Sequence, residues 1–226
     1  AVDGDADRFG IVDGDGTYIH ANHVLGLLAD YLMSSRGWVG EVVRSVPTSH
    51  LLDAVAEHHG SSLTETKTGF KWIGERFLAD PEAFVLGGEE SNGMTVRGHI
   101  PEKDGILACL LVAEMVATSG KTLTELLEDL FARVGRREVD RLDLELPEGR
   151  KQALLSRFDD EPPTEFAGRR VEQIVTLDGH KLILDDGSFI AIRASGTEPL
   201  VRCYLDARDA KGMRELQAAA RDLIRS

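Results

Sequence analysis

The stretch EVVRSVPTSHLLDAVA, Glu41 to Ala56, decides how the first half of this chain folds. Glu41 to Val46 is an apolar run of strand length. Thr48 or Ser49 can cap a following helix, whose Leu51, Leu52, Val55 and Ala56 fall on one face at helical spacing. A strand feeding directly into an amphipathic helix is one βα unit.

The same alternation extends to both sides. Upstream, Phe9 to Val12, an Asp13-Gly14-Asp15-Gly16 turn and a return over Thr17 to Ile19 read as a hairpin. A helix follows from Asn22, with Leu25, Leu28, Ala29 and Leu32 at helical spacing, and closes near Gly37. Downstream, Ser62 to Thr66 alternates like a strand, Phe70 to Leu78 reads as a short helix, Phe84 to Leu86 as a buried strand and Ile106 to Ala117 as a strongly apolar helix. This order predicts an α/β domain with a mixed, mostly parallel sheet layered with helices.

The pattern changes after Gly135. Val139 to Leu146, Val171 to Leu177, Lys181 to Leu184, Phe189 to Arg193 and Leu200 to Ala207 are strand-like, Asp159 to Pro163 is a surface loop, and a final helix carries Met213, Leu216, Ala220, Leu223 and Ile224. A smaller α+β C-terminal domain with an antiparallel sheet and packed helices is expected.

Composition narrows the function. Lys and Arg number 26 against 39 Asp and Glu, a net charge of -13 that repels nucleic acid and anionic membranes alike. Cys109 and Cys203 lie far apart with no metal-type spacing and read as buried free thiols of a cytoplasmic protein. No apolar run approaches the roughly 18 residues of a membrane span.

Three loops carry chemistry. Asp3-Gly4-Asp5-Ala6-Asp7-Arg8 sets alternate carboxylates that one tight turn can aim at a hard dication, and the adjacent arginine suggests that an anion such as phosphate shares the site. A calcium EF-hand would need glycine sixth and glutamate twelfth, where Arg8 and Gly14 stand. Asp13 and Asp15 are better explained as turn chemistry. Gly87-Gly88-Glu89-Glu90-Ser91-Asn92-Gly93 follows a buried strand, where open α/β sheets place ligands and glycines admit close backbone approach; a glycine-rich turn with solvated acids is the alternative. Arg193-Ala194-Ser195-Gly196-Thr197-Glu198-Pro199, with Arg202 nearby, can cradle a phosphate or form a capping-box turn. Lys71 and Lys103, taken singly, are surface charges. Ser49-His50 is explained by helix capping rather than by a nucleophile, and His20, His23, His58, His59 and His180 form no ligand spacing.

Together and in this order, the loops resemble those of the α-D-phosphohexomutase superfamily, which contains phosphoglucomutase and phosphomannomutase. The resemblance implies Asp3, Asp5 and Asp7 as Mg²⁺ ligands and Arg8 as a catalytic-site contact. It implies Glu89 and Ser91 as sugar binders, with Arg193, Ser195, Gly196, Thr197 and Arg202 at the phosphate. TGFKW at 68–72 and EKDG at 102–105 look like further active-site segments, which makes Lys71 and Lys103 catalytic, and His99, just ahead of the second segment, is expected to bind substrate. Residues 1–19 would then end a second domain, 20–136 form an α/β sugar-binding domain and 137–226 the phosphate-binding domain. The family's phosphoserine motif has no match here, so the expected partners are a phosphorylated hexose and the missing N-terminal half of the same enzyme. A non-catalytic phosphosugar-binding or regulatory fragment is the alternative, and a Ca²⁺-binding structural protein a weaker one.

Overall fold

The computed structural model describes residues 1–195 and 198–223. The chain forms two compact units, Ala1–Arg136 and Arg137–Ser226.

The first unit opens with an antiparallel hairpin, β1 (Ile11–Val12) and β2 (Tyr18–Ile19), and continues through α1 (Ala21–Arg36), β3 (Glu41–Ser45), α2 (Leu51–His58), β4 (Ser62–Thr66), α3 (Phe70–Ala79), β5 (Phe84–Glu89), β6 (Gly93–Val96), α4 (Gly105–Ser119) and α5 (Leu123–Val134). Its main sheet has the order β4-β3-β5-β6. The first three of these strands run parallel, and β6 returns antiparallel to β5. The core joins Leu25, Leu28 and Leu32 of α1 to Val42, Leu51, Val55, Leu86 and Leu130, all fully buried.

Helix ends follow from local chemistry. The Asn22 N–H donates to His20 Nδ1 at the start of α1, and Gly37, with φ of 64°, supplies the left-handed residue that closes it. Asp104 Oδ1 accepts the Leu107 N–H at the start of α4. Thr122 and Glu125 form a capping box on α5, a helix beyond the expected elements. Asp13 serves that helix too: its carboxylate accepts from the N–H of Gly14 in its own turn and from Leu123 N, Thr124 N and Thr124 Oγ1. Those bonds outweigh burial and hold its pKa below the ordinary carboxylate value.

The second unit runs β7 (Glu138–Glu145), α6 (Glu148–Asp160), β8 (Glu165–Phe166), β9 (Arg169–Val175), β10 (His180–Leu184), β11 (Phe189–Ala194), β12 (Leu200–Ala207) and α7 (Ala210–Asp222). The strands form one sheet in the order β7-β12-β11-β10-β9-β8, antiparallel at every pairing. Leu154 and Phe158 of α6 and Met213, Leu216 and Ala220 of α7 share a core with Leu182, Ile190, Ile192 and Leu205 of the sheet. Lys181 is fully buried, with its ammonium 4.2 Å from the Phe189 ring centre, and Arg137 pairs with the fully buried Asp206 at 2.9 Å.

Two expectations change. The supposed loop at Asp159 begins inside α6, and His180 Nε2 lies 2.8 Å from Asp159 Oδ1. Cys109 is only half-buried, against Ala1, whereas Cys203 is buried and its thiol pushed up to about 12 by desolvation. Ile224 lies outside the described residues. Among the described residues, no single helix is long and apolar enough to cross a membrane.

Candidate functional site

The acidic loop folds on itself. Asp3 Oδ1 accepts the Arg8 N–H at 3.2 Å, the Ala6 N–H donates to Asp3 O, and Ala6 takes a positive φ of 61°. This turn brings one ligand atom from each of Asp3, Asp5 and Asp7 to within 4.8 Å of one another. All donors are carboxylate oxygens, the set a hard dication such as Mg²⁺ takes, so the residues present fit that ion.

Two segments brace the loop. The Phe9 N–H donates to Asn92 O at 3.1 Å, which ties it to the tip of the β5–β6 hairpin. The Gly105 N–H donates to Ala6 O at 3.0 Å, and a Cβ on Gly105 would come within 2.5 Å of Arg8 O, so the start of α4 must be glycine to lie this close. Asp3, Arg8, Ser91 and Asn92 thereby line one cleft of about 430 Å³. Arg8 itself is half-exposed, with Nε 3.8 Å from Asp7 Oδ1.

The glycine-rich segment is built differently from the sequence expectation. Gly87 and Gly88 belong to β5 and pair with Val43 and Arg44 of β3. A Cβ at Gly87 would stand 2.4 Å from Ile73 of α3, and one at Gly88 would stand 2.4 Å from Leu25 of α1. These glycines admit helices against the sheet. The reading loop shrinks to the turn Glu90-Ser91-Asn92, in which the Asn92 N–H donates to Glu89 O and Asn92 has a φ of 72°.

Glu89 is 5% exposed, and its Oε1 accepts the Gly69 N–H at 2.7 Å, at the entry to α3. Glu90 is held by hydroxyls: Ser45 Oγ donates to its Oε2 at 3.0 Å, and its own N–H donates to Thr48 Oγ1 at 3.2 Å. Thr48 therefore serves the hairpin rather than the start of α2. The N-cap position there is His50, and Ser49 Oγ accepts the Leu51 N–H. Arg44 is buried at the end of β3, where it takes Asp53 in a two-pronged bond of 2.6 and 2.8 Å and also binds Glu65.

The two lysines part company. Lys71 is exposed, and its ammonium lies 4.5 Å from the Trp72 ring centre. Lys103 reaches the centre of the site, with its ammonium 3.1 Å from Asp7 Oδ2, 3.0 Å from Glu102 Oε1 and 5.1 Å from the Phe70 ring centre. Burial works against both charges of the Lys103–Glu102 pair, yet the bonds they make outweigh it. The lysine is raised above its ordinary pKa and Glu102 is lowered. His99 Nε2 lies 2.9 Å from Asp104 Oδ2, which orients the ring against the α4 cap. The Leu107 N–H is the main cause that lowers Asp104.

In the second unit, Arg193 and Arg202 stand directly opposite each other on β11 and β12. Like charges in register repel, and each is compensated by its own acid. Arg193 Nε lies 2.9 Å from Asp178 Oδ2, and Arg202 NH2 donates to Glu198 Oε2 at 2.7 Å. Ser195 is buried, its Oγ accepts the Glu198 N–H at 3.1 Å, and its carbonyl accepts from Lys151 Nζ at 3.0 Å. The capping bond read as the alternative is thus present, in a turn between strands. Gly196 and Thr197 lie outside the described residues. Asp178, Lys151 and Thr48 carry structural roles at these loops that the sequence reading missed.

The two units and their order define a class, an α/β domain followed by an antiparallel α+β domain. Residues 20–134 match the family model of the phosphoglucomutase/phosphomannomutase alpha/beta/alpha domain III, and residues 144–223 match the model of its C-terminal domain. The chain belongs to the phosphoglucomutase/phosphomannomutase family. A phosphoglucomutase/phosphomannomutase of Thermococcus kodakarensis is 32% identical over 218 residues, with 95% of this chain and 44% of the relative covered. Among solved structures, a protein of Thermus thermophilus provisionally called a phosphomannomutase superposes with a TM-score of 0.82 at 35% identity, over 100% of this chain and 45% of that one. The Aspergillus fumigatus N-acetylphosphoglucosamine mutase, solved with GlcNAc-6P and magnesium, shares the fold at a TM-score of 0.60 and 15% identity, over 100% of this chain and 51% of that one. The chain spans about half the length of the curated relatives it matches.

Proposed function

We propose that this chain is the C-terminal part of a Mg²⁺-dependent phosphohexomutase that interconverts hexose 1-phosphate and 6-phosphate through a phosphoserine on the N-terminal half and a bisphosphate intermediate. The observation that carries the reading is the shared cleft, in which Asp3 and Arg8 of the acidic loop line the same wall as Ser91 and Asn92 of the hairpin tip. A cation site and a set of hydroxyl-binding groups within one cleft suit a phosphorylated sugar better than either ligand alone.

Asp3, Asp5 and Asp7 would hold Mg²⁺, which when bound neutralises charge on a migrating phosphoryl group. Arg8 faces the phosphate as a half-exposed cation. Ser91 reads a sugar hydroxyl, as does Glu89, whose position Gly69 fixes. Lys103 acts on the ligand beside the acidic loop as binder or proton carrier, and Lys71 and His99 border the ligand. In the second unit Arg193, Ser195, Gly196, Thr197 and Arg202 anchor a phosphate, which supplies orientation rather than chemistry. The magnesium and phosphosugar of the Aspergillus mutase support the choice of ion and ligand class by analogy of fold alone. A cytoplasmic location accords with free thiols at Cys109 and Cys203.

The test is complementation. The chain supplied with a serine-bearing N-terminal half should convert glucose 1-phosphate or mannose 1-phosphate in the presence of Mg²⁺, and Asp5→Asn should abolish turnover. A complemented enzyme that works equally well with Asp5→Asn would defeat the reading.

A further inference from the structure

The acidic loop already has a resident cation. Both oxygens of Asp7 face positive charge, Oδ2 at 3.1 Å from Lys103 Nζ and Oδ1 at 3.8 Å from Arg8 Nε. Arg8 is exposed and beyond hydrogen-bond distance, whereas Lys103 is held. A Cβ at Gly93 would stand 2.4 Å from Lys103 Cδ, so the lysine stem lies flat across the base of the hairpin. Its head rests near the Phe70 ring and bonds Glu102 at 3.0 Å. The side chain is 16% exposed and Asp7 is 28% exposed, so water screens this pair only in part.

Mg²⁺ dehydrates reluctantly and needs its carboxylates at close range. An ammonium fixed on one of those carboxylates repels it and takes up an oxygen lone pair. Lys103 has a second acidic partner besides Asp7, since its ammonium also bonds Glu102 Oε1 at 3.0 Å.

We propose that the Lys103 ammonium and the divalent cation are alternative occupants of the Asp7 carboxylate, so that metal entry releases Lys103 from the acidic loop and frees its head for the ligand. The proposal rests on the metal reading above and adds to it an order of events, cation first and lysine second. It also gives the hairpin glycine a purpose, since any side chain at position 93 would lift the lysine stem from its track.

The test is Mg²⁺ calorimetry on the chain, its Lys103→Met and Lys103→Arg variants, and Lys67→Met as a control for net charge, each checked for an intact amide fingerprint. Lys103→Met should bind Mg²⁺ about fivefold tighter or more, with Lys67→Met and Lys103→Arg close to the parent. In the parent, Mg²⁺ should also shift the Lys103 side-chain ¹⁵N resonance as the Asp7 contact breaks. Equal or weaker binding by Lys103→Met would overturn the proposal and make the lysine a support for the metal ligand. An ammonium signal unmoved at metal saturation would overturn it too. Absence of Mg²⁺ binding in every variant would sink both the latch and the metal loop, whereas failed complementation with normal lysine release would sink the mutase reading alone.

Discussion

Glu89 Oε1 accepts the backbone N–H of Gly69 at 2.7 Å, so the carboxylate read as a sugar ligand also closes the entry to α3. The bond crosses from the β5–β6 hairpin to the TGFKW segment and is largely buried. Glu89→Ala should cost about 1–3 kcal/mol of stability by stranding that donor, with Glu89→Gln retaining most of it. Urea unfolding of the two variants checks this, and equal midpoints for Ala, Gln and the parent would contradict it.

Asp13 caps α5 across the first unit. Its pKa is lowered on folding, so its contribution is fully present above the unfolded carboxylate value of about 3.9 and is lost as the pH falls through the lower folded value. Asp13→Ala should therefore cost about 1 kcal/mol near neutrality, a modest figure because the group is only half-buried, and the deficit should shrink below about pH 4. Thermal melts of both proteins across that range provide the comparison; a deficit independent of pH would contradict the capping role.

The two thiols should separate by reactivity. Cys203, fully buried and pushed up to about 12, should resist a thiol reagent until the protein unfolds, while half-buried Cys109 reacts in the native state. Ellman titration before and after denaturant, with mass mapping of the modified site, distinguishes them.

How far the sequence reached depends on where each signal lay. The βα units were legible because Val42, Val43, Leu51 and Val55 are apolar and fully buried, which is what their spacing demands. Helix α6 was not, since its buried stripe runs Lys151, Leu154 and Phe158, and a lysine breaks the apolar pattern. That lysine is buried because it bonds Ser195 O, 44 residues away, a contact no local pattern encodes. Helix α5 did carry a readable signature, Thr122 and Glu125 at capping-box spacing ahead of Leu127, Leu130 and Phe131. The clustering of the acidic loop was legible from the alternate spacing of Asp3, Asp5 and Asp7, whose carboxylates do converge. The glycines were misread because nothing in the local pattern hints that Leu25 and Ile73 press on Gly88 and Gly87.

Arg193→Ala removes one of two arginines that face each other across β11 and β12. Loss of a charge-assisted contact should weaken inorganic phosphate binding by about 1.5–3 kcal/mol, roughly ten- to hundredfold. Arg170→Ala, a residue whose side chain is 70% exposed, should leave binding unchanged. Calorimetry with phosphate settles the pair, and equal losses in both variants would reduce the effect to net charge.

The most direct measurement of the central claim is an amide NMR titration of the chain with glucose 6-phosphate and Mg²⁺, run beside inorganic phosphate with the same ion. Phosphate alone should move the amides of Arg193 and Ser195. The sugar phosphate should move Ser91 and Asn92 at the cleft of the first unit. Saturable binding of glucose 6-phosphate that leaves Ser91 and Asn92 unmoved would contradict a phosphosugar site built on the acidic loop and the hairpin.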